Sequence, residues 1–116
     1  MKKLALASVS LLLTTLAAWA DPAGTYDVKG TDLDGQSYAG TVEVVKTGDV
    51  YALLYKYNDG TEQVGSAIGD DEFLAYGYAG EQELGVGLMT AKGENWEGVW
   101  TNIGAEKMSL ENWTRK

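Results

Sequence analysis

Tyr55, Tyr57, Tyr76, Tyr78, Trp96 and Trp100 are the residues of this chain best suited to recognise another molecule. Each presents an apolar body with a polar tip, and the two tyrosine pairs and the tryptophans recur at even spacings, which places each set on one face of a strand. Turned inward together, they would line a small-molecule pocket of the usual make-up, apolar walls with a few polar groups. The alternative is that the rings simply fill the interior of a small barrel, which at eight strands is just wide enough for side chains.

Other chemistries fare less well. The chain has neither histidine nor cysteine, so it lacks the usual general base at neutral pH and the commonest metal ligand. Asp32-Leu33-Asp34-Gly35-Gln36-Ser37 has the Asp-x-Asp-Gly spacing of a calcium loop. The next five positions are Tyr, Ala, Gly, Thr and Val, so the ligands that complete such a loop are missing and a hairpin turn is expected. Glu94 and Glu97 flank Trp96 as the nearest approach to a catalytic carboxylate pair, yet three residues apart on a strand they point to opposite faces. Asp70, Asp71 and Glu72, with Glu81 and Glu83 in the next turn, read as a solvated acidic rim. No catalytic residue, metal site or cofactor is assigned, and the chain is not expected to be an enzyme.

The elements that must position the rings are short strands. Tyr26 and Val28 alternate with Asp27 and Lys29; Val42 and Val44 alternate with Thr41 and Glu43; Tyr51, Leu53, Tyr55 and Tyr57 share one face of 50–57. Further strands are expected over 61–69 (Val64, Ile68), 72–79 (Leu74, Tyr76, Tyr78), 83–91 (Leu84, Val86, Leu88), 94–102 (Trp96, Trp100) and 106–114 (Met108, Leu110). Period-two alternation rich in β-branched and aromatic residues is the strand signature. Turn sequences separate the runs, among them Asp34-Gly35, Thr47-Gly48-Asp49, Asn58-Asp59-Gly60, Gly69-Asp70-Asp71, Lys92-Gly93 and Ile103-Gly104-Ala105. These residue types tolerate the positive φ of tight hairpins. Gly40, Gly65, Gly77, Gly85, Gly87 and Gly98 inside strands mark bends or close backbone approach. An all-β fold follows: an up-and-down antiparallel eight-stranded small barrel, with a two-sheet β-sandwich as the alternative.

Residues 1–20 read as a secretory signal peptide: basic Lys2 and Lys3, an apolar run from Leu4 to Leu16, and Ala18-Trp19-Ala20 before Asp21. Cleavage after Ala20 is expected to leave one domain over 21–116 in the periplasm or outside the cell. The apolar run is too short for a spanning helix, and no cysteine is available for a lipid anchor, so the mature chain is not expected to be membrane-embedded. Without Lys2 and Lys3, 7 basic residues stand against 17 acidic ones, a net charge of −10. Such a surface repels nucleic acid, which is excluded as a partner.

GTYDVKG, DGQSYAGTVEVVKTGDVYALLY, GDDEFLAYGYAG and WEGVW resemble the motifs of a family of small exported bacterial β-meander proteins. These open with Gly-x-Tyr-x-Val-x-Gly and continue with an Asp-Gly-x-x-Tyr-x-Gly hairpin. In outline they look like calycin-type barrels, the avidin and lipocalin group. The chain departs from that group in being shorter, in carrying Gly24-Thr25-Tyr26 where lipocalins have Gly-x-Trp, and in lacking residues that align with avidin's biotin contacts. The resemblance implies a closed barrel, not a ligand. From the residues, the expected function is a non-catalytic binding module for a small apolar or aromatic ligand in the barrel mouth. The alternative is a protein-interaction module (adhesin, inhibitor or oligomer subunit) that meets an envelope or host protein through its outer surface. Val50, Ala52 and Leu54 face outward on the third strand and could form a patch there with Val45 and Val99.

Overall fold

Strands form where β-branched and aromatic residues alternate with polar ones, and they end where turn residues take over. In the computed structural model, which describes residues 21–116, they are β1 (Gly24–Thr31), β2 (Ser37–Thr47), β3 (Val50–Tyr57), β4 (Glu62–Gly69), β5 (Phe73–Ala79), β6 (Leu84–Lys92), β7 (Asn95–Asn102) and β8 (Ser109–Arg115). Every neighbouring pair is antiparallel, and β8 pairs back onto β1 with Val28 opposite Trp113. The result is a closed up-and-down barrel of eight strands and not a two-sheet sandwich; the described residues contain no helix. Closure leaves no exposed edge strand. The proposed leader, residues 1–20, lies outside the described residues.

Gly35, Gly48, Gly60, Gly93 and Gly104 all take φ between 63° and 94° in the hairpin turns, where a side chain would be strained. The Asp32 loop is one of these hairpins. Its carboxylate accepts hydrogen bonds from the backbone N–H groups of Asp34 and Gln36 at 2.8 and 2.9 Å.

Five strands turn their larger apolar residues inward: β1 (Tyr26, Val28), β2 (Val42, Val44), β3 (Tyr51, Leu53, Tyr55), β5 (Leu74, Tyr76, Tyr78) and β7 (Trp96, Trp100). Strands β4, β6 and β8 expose most of theirs, Met89 and Trp113 excepted. Val64, Ile68, Leu84, Val86, Leu88 and Leu110, and with them Met108 just before β8, are exposed, while Gly65, Ala67, Gly85, Gly87, Met89, Glu111 and Trp113 occupy the inner face. Volume is the cause. A Cβ at Gly85 would meet the Tyr78 hydroxyl and the Thr101 carbonyl, and one at Gly87 would meet the Tyr76 ring. The large rings of β5 leave β6 no room for side chains beside them, so its apolar residues are displaced to the outside.

Candidate functional site

The two ends of the barrel are built differently. At the end that carries the chain termini, the interior is plugged, and the space outside the plug is a shallow depression bounded by Asp21, Lys46, Tyr51 and Asp70. Tyr26 is fully buried; its hydroxyl donates to the Pro22 carbonyl at 2.7 Å and accepts from Trp96 Nε1 at 3.2 Å and Arg115 Nη2 at 2.7 Å. The Arg115 guanidinium lies over the Tyr26 ring, 4.7 Å from its centroid, and also donates to the carbonyls of Asp21, Ala23 and Glu94. Lys46 stacks on Tyr51 nearby at 4.8 Å.

The opposite end is open. It holds a cavity of about 420 Å³, within the range of small-molecule sites. Four rings form its wall in an edge-to-face box. Tyr38 meets Tyr57 at 5.7 Å and 84°, Tyr38 meets Trp100 at 6.2 Å and 70°, and Trp100 meets Tyr78 at 6.2 Å and 76°. Asp32, Asp59 and Glu83 reach the cavity from the β1–β2, β3–β4 and β5–β6 turns, with Asn58 and Thr61 beside them; Ser37 and Gln63 line it from the first residues of β2 and β4.

Beneath the rings sits Glu111, the one buried charged or polar residue of the described chain, 3% exposed. It accepts hydrogen bonds from the Tyr38 hydroxyl at 2.5 Å, the Tyr55 hydroxyl at 2.9 Å and Trp113 Nε1 at 2.7 Å. Two hydroxyls and an indole N–H thus surround its two oxygens. Burial nevertheless pushes its carboxyl above the usual range, with the three hydrogen bonds opposing that shift.

The wall hydroxyls are tied as well. Tyr57 donates to Gln63 Oε1 at 2.8 Å, and Tyr78 donates to Asn102 Oδ1 at 2.6 Å. Desolvation raises the Tyr38, Tyr57 and Tyr78 phenols; Glu111 adds to this at Tyr38 and Tyr57, and Glu83 followed by Glu111 at Tyr78. All three are neutral at physiological pH. Trp100 is 8% exposed, and its Nε1–H is the only buried side-chain polar atom without a partner among the described residues.

Among solved structures, the chain is similar to a redesigned β-barrel (TM-score 0.67, 14% identity, 81% of this chain and 90% of that one). It is also similar to a de novo designed fluorescence-activating β-barrel (TM-score 0.65, 18% identity, 86% and 96%). A third, a redesigned barrel solved bound to DFHBI, overlays with a TM-score of 0.60 at 16% identity over 81% and 94%. These likenesses are of fold. No family model matches the sequence, and no curated protein matches it.

The six aromatic residues singled out from the sequence separate by depth. Tyr57, Tyr78 and Trp100 line the cavity. Tyr55 and Tyr76 lie beneath them, Tyr55 stacked on Tyr57 at 5.6 Å and 13°, and Tyr76 packed on Tyr78 at 6.1 Å. Trp96 belongs to the plug at the other end. Glu94 and Glu97 are not a pair: Glu94 faces Arg115 at 3.9 Å and Glu97 faces Lys92 at 3.7 Å. Sequence reasoning missed Tyr38, Gln63 and Glu111. The signal for Glu111 was its register: it lies two residues before Trp113 and four before Arg115, so one face of β8 carries all three inward.

Proposed function

We propose that this chain is an exported, non-catalytic binding barrel that holds a small molecule with an apolar or aromatic body in its open mouth. The carrying observation is the asymmetry of the two ends. One is plugged by Tyr26, Trp96 and Arg115, while the other keeps a cavity of about 420 Å³ walled by Tyr38, Tyr57, Tyr78 and Trp100. A barrel whose rings served packing alone would be filled at both ends. Similar designed barrels, one of them bound to DFHBI, support the fold's capacity to hold a ligand. Cleavage before Asp21 and a calycin-like ancestry belong to the same proposal. Native mass spectrometry of the protein purified gently from its host's envelope fraction tests it. A mass above the bare 21–116 chain that disappears on denaturation is expected; a bare mass from every preparation would contradict it.

A second reading concerns the outer wall and is compatible with the first. Ile68, Ala75, Leu88, Val99 and Leu110 lie side by side in register across β4 to β8, all outward. Ten of the twelve large exposed apolar residues fall between Leu54 and Leu110, whereas the outer faces of β1 and β2 carry Asp27, Lys29 and Glu43. The face is therefore a patch and not the all-round girdle of a membrane barrel. Ile68, Leu88 and Leu110 each keep between 46% and 62% of their surface exposed, a contiguous apolar strip of the kind that marks an interface. The occupant proposed is a second copy of this chain, since an uncharged face lets two strongly acidic molecules meet. Sedimentation should show a concentration-dependent dimer that Leu88→Glu abolishes; a monomer at 100 μM would rule it out.

A further inference from the structure

We propose that the mouth selects an organic cation, an amine or quaternary ammonium on an apolar body. This rests on the reading of the mouth as a ligand site and names the chemistry of its occupant.

What the wall offers a ligand is almost entirely negative potential. The tyrosine protons are committed within the protein, Tyr38 to Glu111, Tyr57 to Gln63 and Tyr78 to Asn102, so these rings offer the cavity their faces and oxygen lone pairs. Aromatic faces attract cations through their quadrupole, more strongly when water is excluded. Three carboxylates, Asp32, Asp59 and Glu83, stand at the rim, and no lysine or arginine lines the cavity. Two of these are engaged locally: Asp32 holds the backbone of its own turn, and Asp59 accepts from the Thr61 N–H and hydroxyl. Glu83 meets only Gln63 Nε2, at 3.4 Å, and is free to face an ammonium.

The plugged end shows how this chain treats such surfaces elsewhere. Both cation–π contacts of the described residues lie there, Arg115 on Tyr26 and Lys46 on Tyr51. The mouth has four rings, three carboxylates and no cation of its own. An anion would meet repulsion from the three carboxylates, and a neutral hydrocarbon would gain nothing from them.

Trp100 belongs to the same wall. It closes the ring box, and its buried Nε1–H has no partner within the protein. An unpaired buried donor is costly. The same burial closes the donor off from the cavity, so Trp100 meets an occupant through its ring, beside Tyr38, Tyr57 and Tyr78.

Isothermal titration of the full chain with three benzoate esters tests this: benzoylcholine, its neutral isostere 3,3-dimethylbutyl benzoate, and anionic 2-sulfoethyl benzoate. Benzoylcholine should bind about tenfold tighter than the neutral ester, with the sulfonate weakest. Glu83→Gln, at an exposed position that leaves folding intact, should weaken benzoylcholine about threefold and leave the neutral ester unchanged, and added salt should act in the same direction. If the neutral ester binds as tightly as benzoylcholine, or the sulfonate more tightly, the mouth stands as a ligand site and the cation assignment is overturned. If none of the three binds, the cation assignment is likewise overturned, and the adduct sought by native mass spectrometry decides separately whether the mouth holds something else.

Discussion

The two ends of this barrel use the same residue types toward opposite results. At the plugged end, Tyr26 is buried under Arg115 and takes part in three hydrogen bonds, so ring, cation and carbonyls satisfy one another inside the chain. At the mouth, rings of the same kind stand around a cavity with their hydroxyls tied back and one indole donor unpaired. Aromatic content alone does not distinguish core from site. The difference is whether the polar edges of the rings find their partners within the fold.

Substitutions at the two ends should therefore separate stability from binding. The largest loss is expected where the halves of the interior meet. Glu111→Ala leaves two phenol donors and the Trp113 indole buried without an acceptor, a cost of about 3 kcal/mol or more that a denaturation midpoint would register. A variant as stable as the parent would show that this carboxylate does not organise the core. Arg115→Met at the plugged end removes charge-assisted bonds to three carbonyls and to Tyr26, and about 2 kcal/mol of stability, while leaving ligand affinity intact. Tyr57→Phe at the mouth forfeits a single hydrogen bond to Gln63, about 1 kcal/mol or less, and should show its effect mainly in binding. Equal stability losses from these last two would erase the distinction between the ends. Lys92→Ala, at an exposed ion pair remote from both arguments, should cost under about 0.5 kcal/mol.

Alkaline pH probes the buried hydroxyls as a group. Desolvation raises Tyr26, Tyr38, Tyr55, Tyr57, Tyr76 and Tyr78 above the ordinary phenol value. The folded state then keeps protons that the unfolded chain releases near pH ~10. Their contribution is complete below that pH and is lost as pH rises above it. Glu111, also raised, gives a slope of the same sign from pH ~4.3 upward, which Glu111→Gln should abolish. Phenolate absorbance near 295 nm is expected to appear largely together with unfolding; a smooth titration of the folded protein near pH ~10 would mean that the rings are solvated.

How much of this was legible in the sequence follows from what each position had to accommodate. The turns were legible because Gly35, Gly48, Gly60, Gly93 and Gly104 sit at positive φ, a backbone demand that residue type reveals. The barrel followed from eight such strands in succession. The faces of β4, β6 and β8 were not legible from hydrophobicity. Their inner positions are set by the volume of rings on neighbouring strands, which selects Gly85 and Gly87 for the inside and leaves Leu84, Val86 and Leu88 outside. Tyr57, Tyr78 and Trp100 were legible as candidates because aromatic residues recur at even spacing. Their separation from Trp96 was not, because it depends on which end of the barrel each strand position reaches. Glu111 could be inferred only by treating Trp113 as inward and carrying the two-residue period back against polarity.

The most direct test of the account is the indole N–H spectrum of the ¹⁵N-labelled protein, recorded with its co-purified adduct or with bound benzoylcholine and again after removal. The account predicts that the Trp100 signal moves on ligand release, because its ring walls the cavity that the ligand fills, while the Trp96 signal, fixed by Tyr26 in the plug, stays in place. Movement at Trp96 with Trp100 unchanged would put the ligand at the wrong end and contradict the assignment of the mouth.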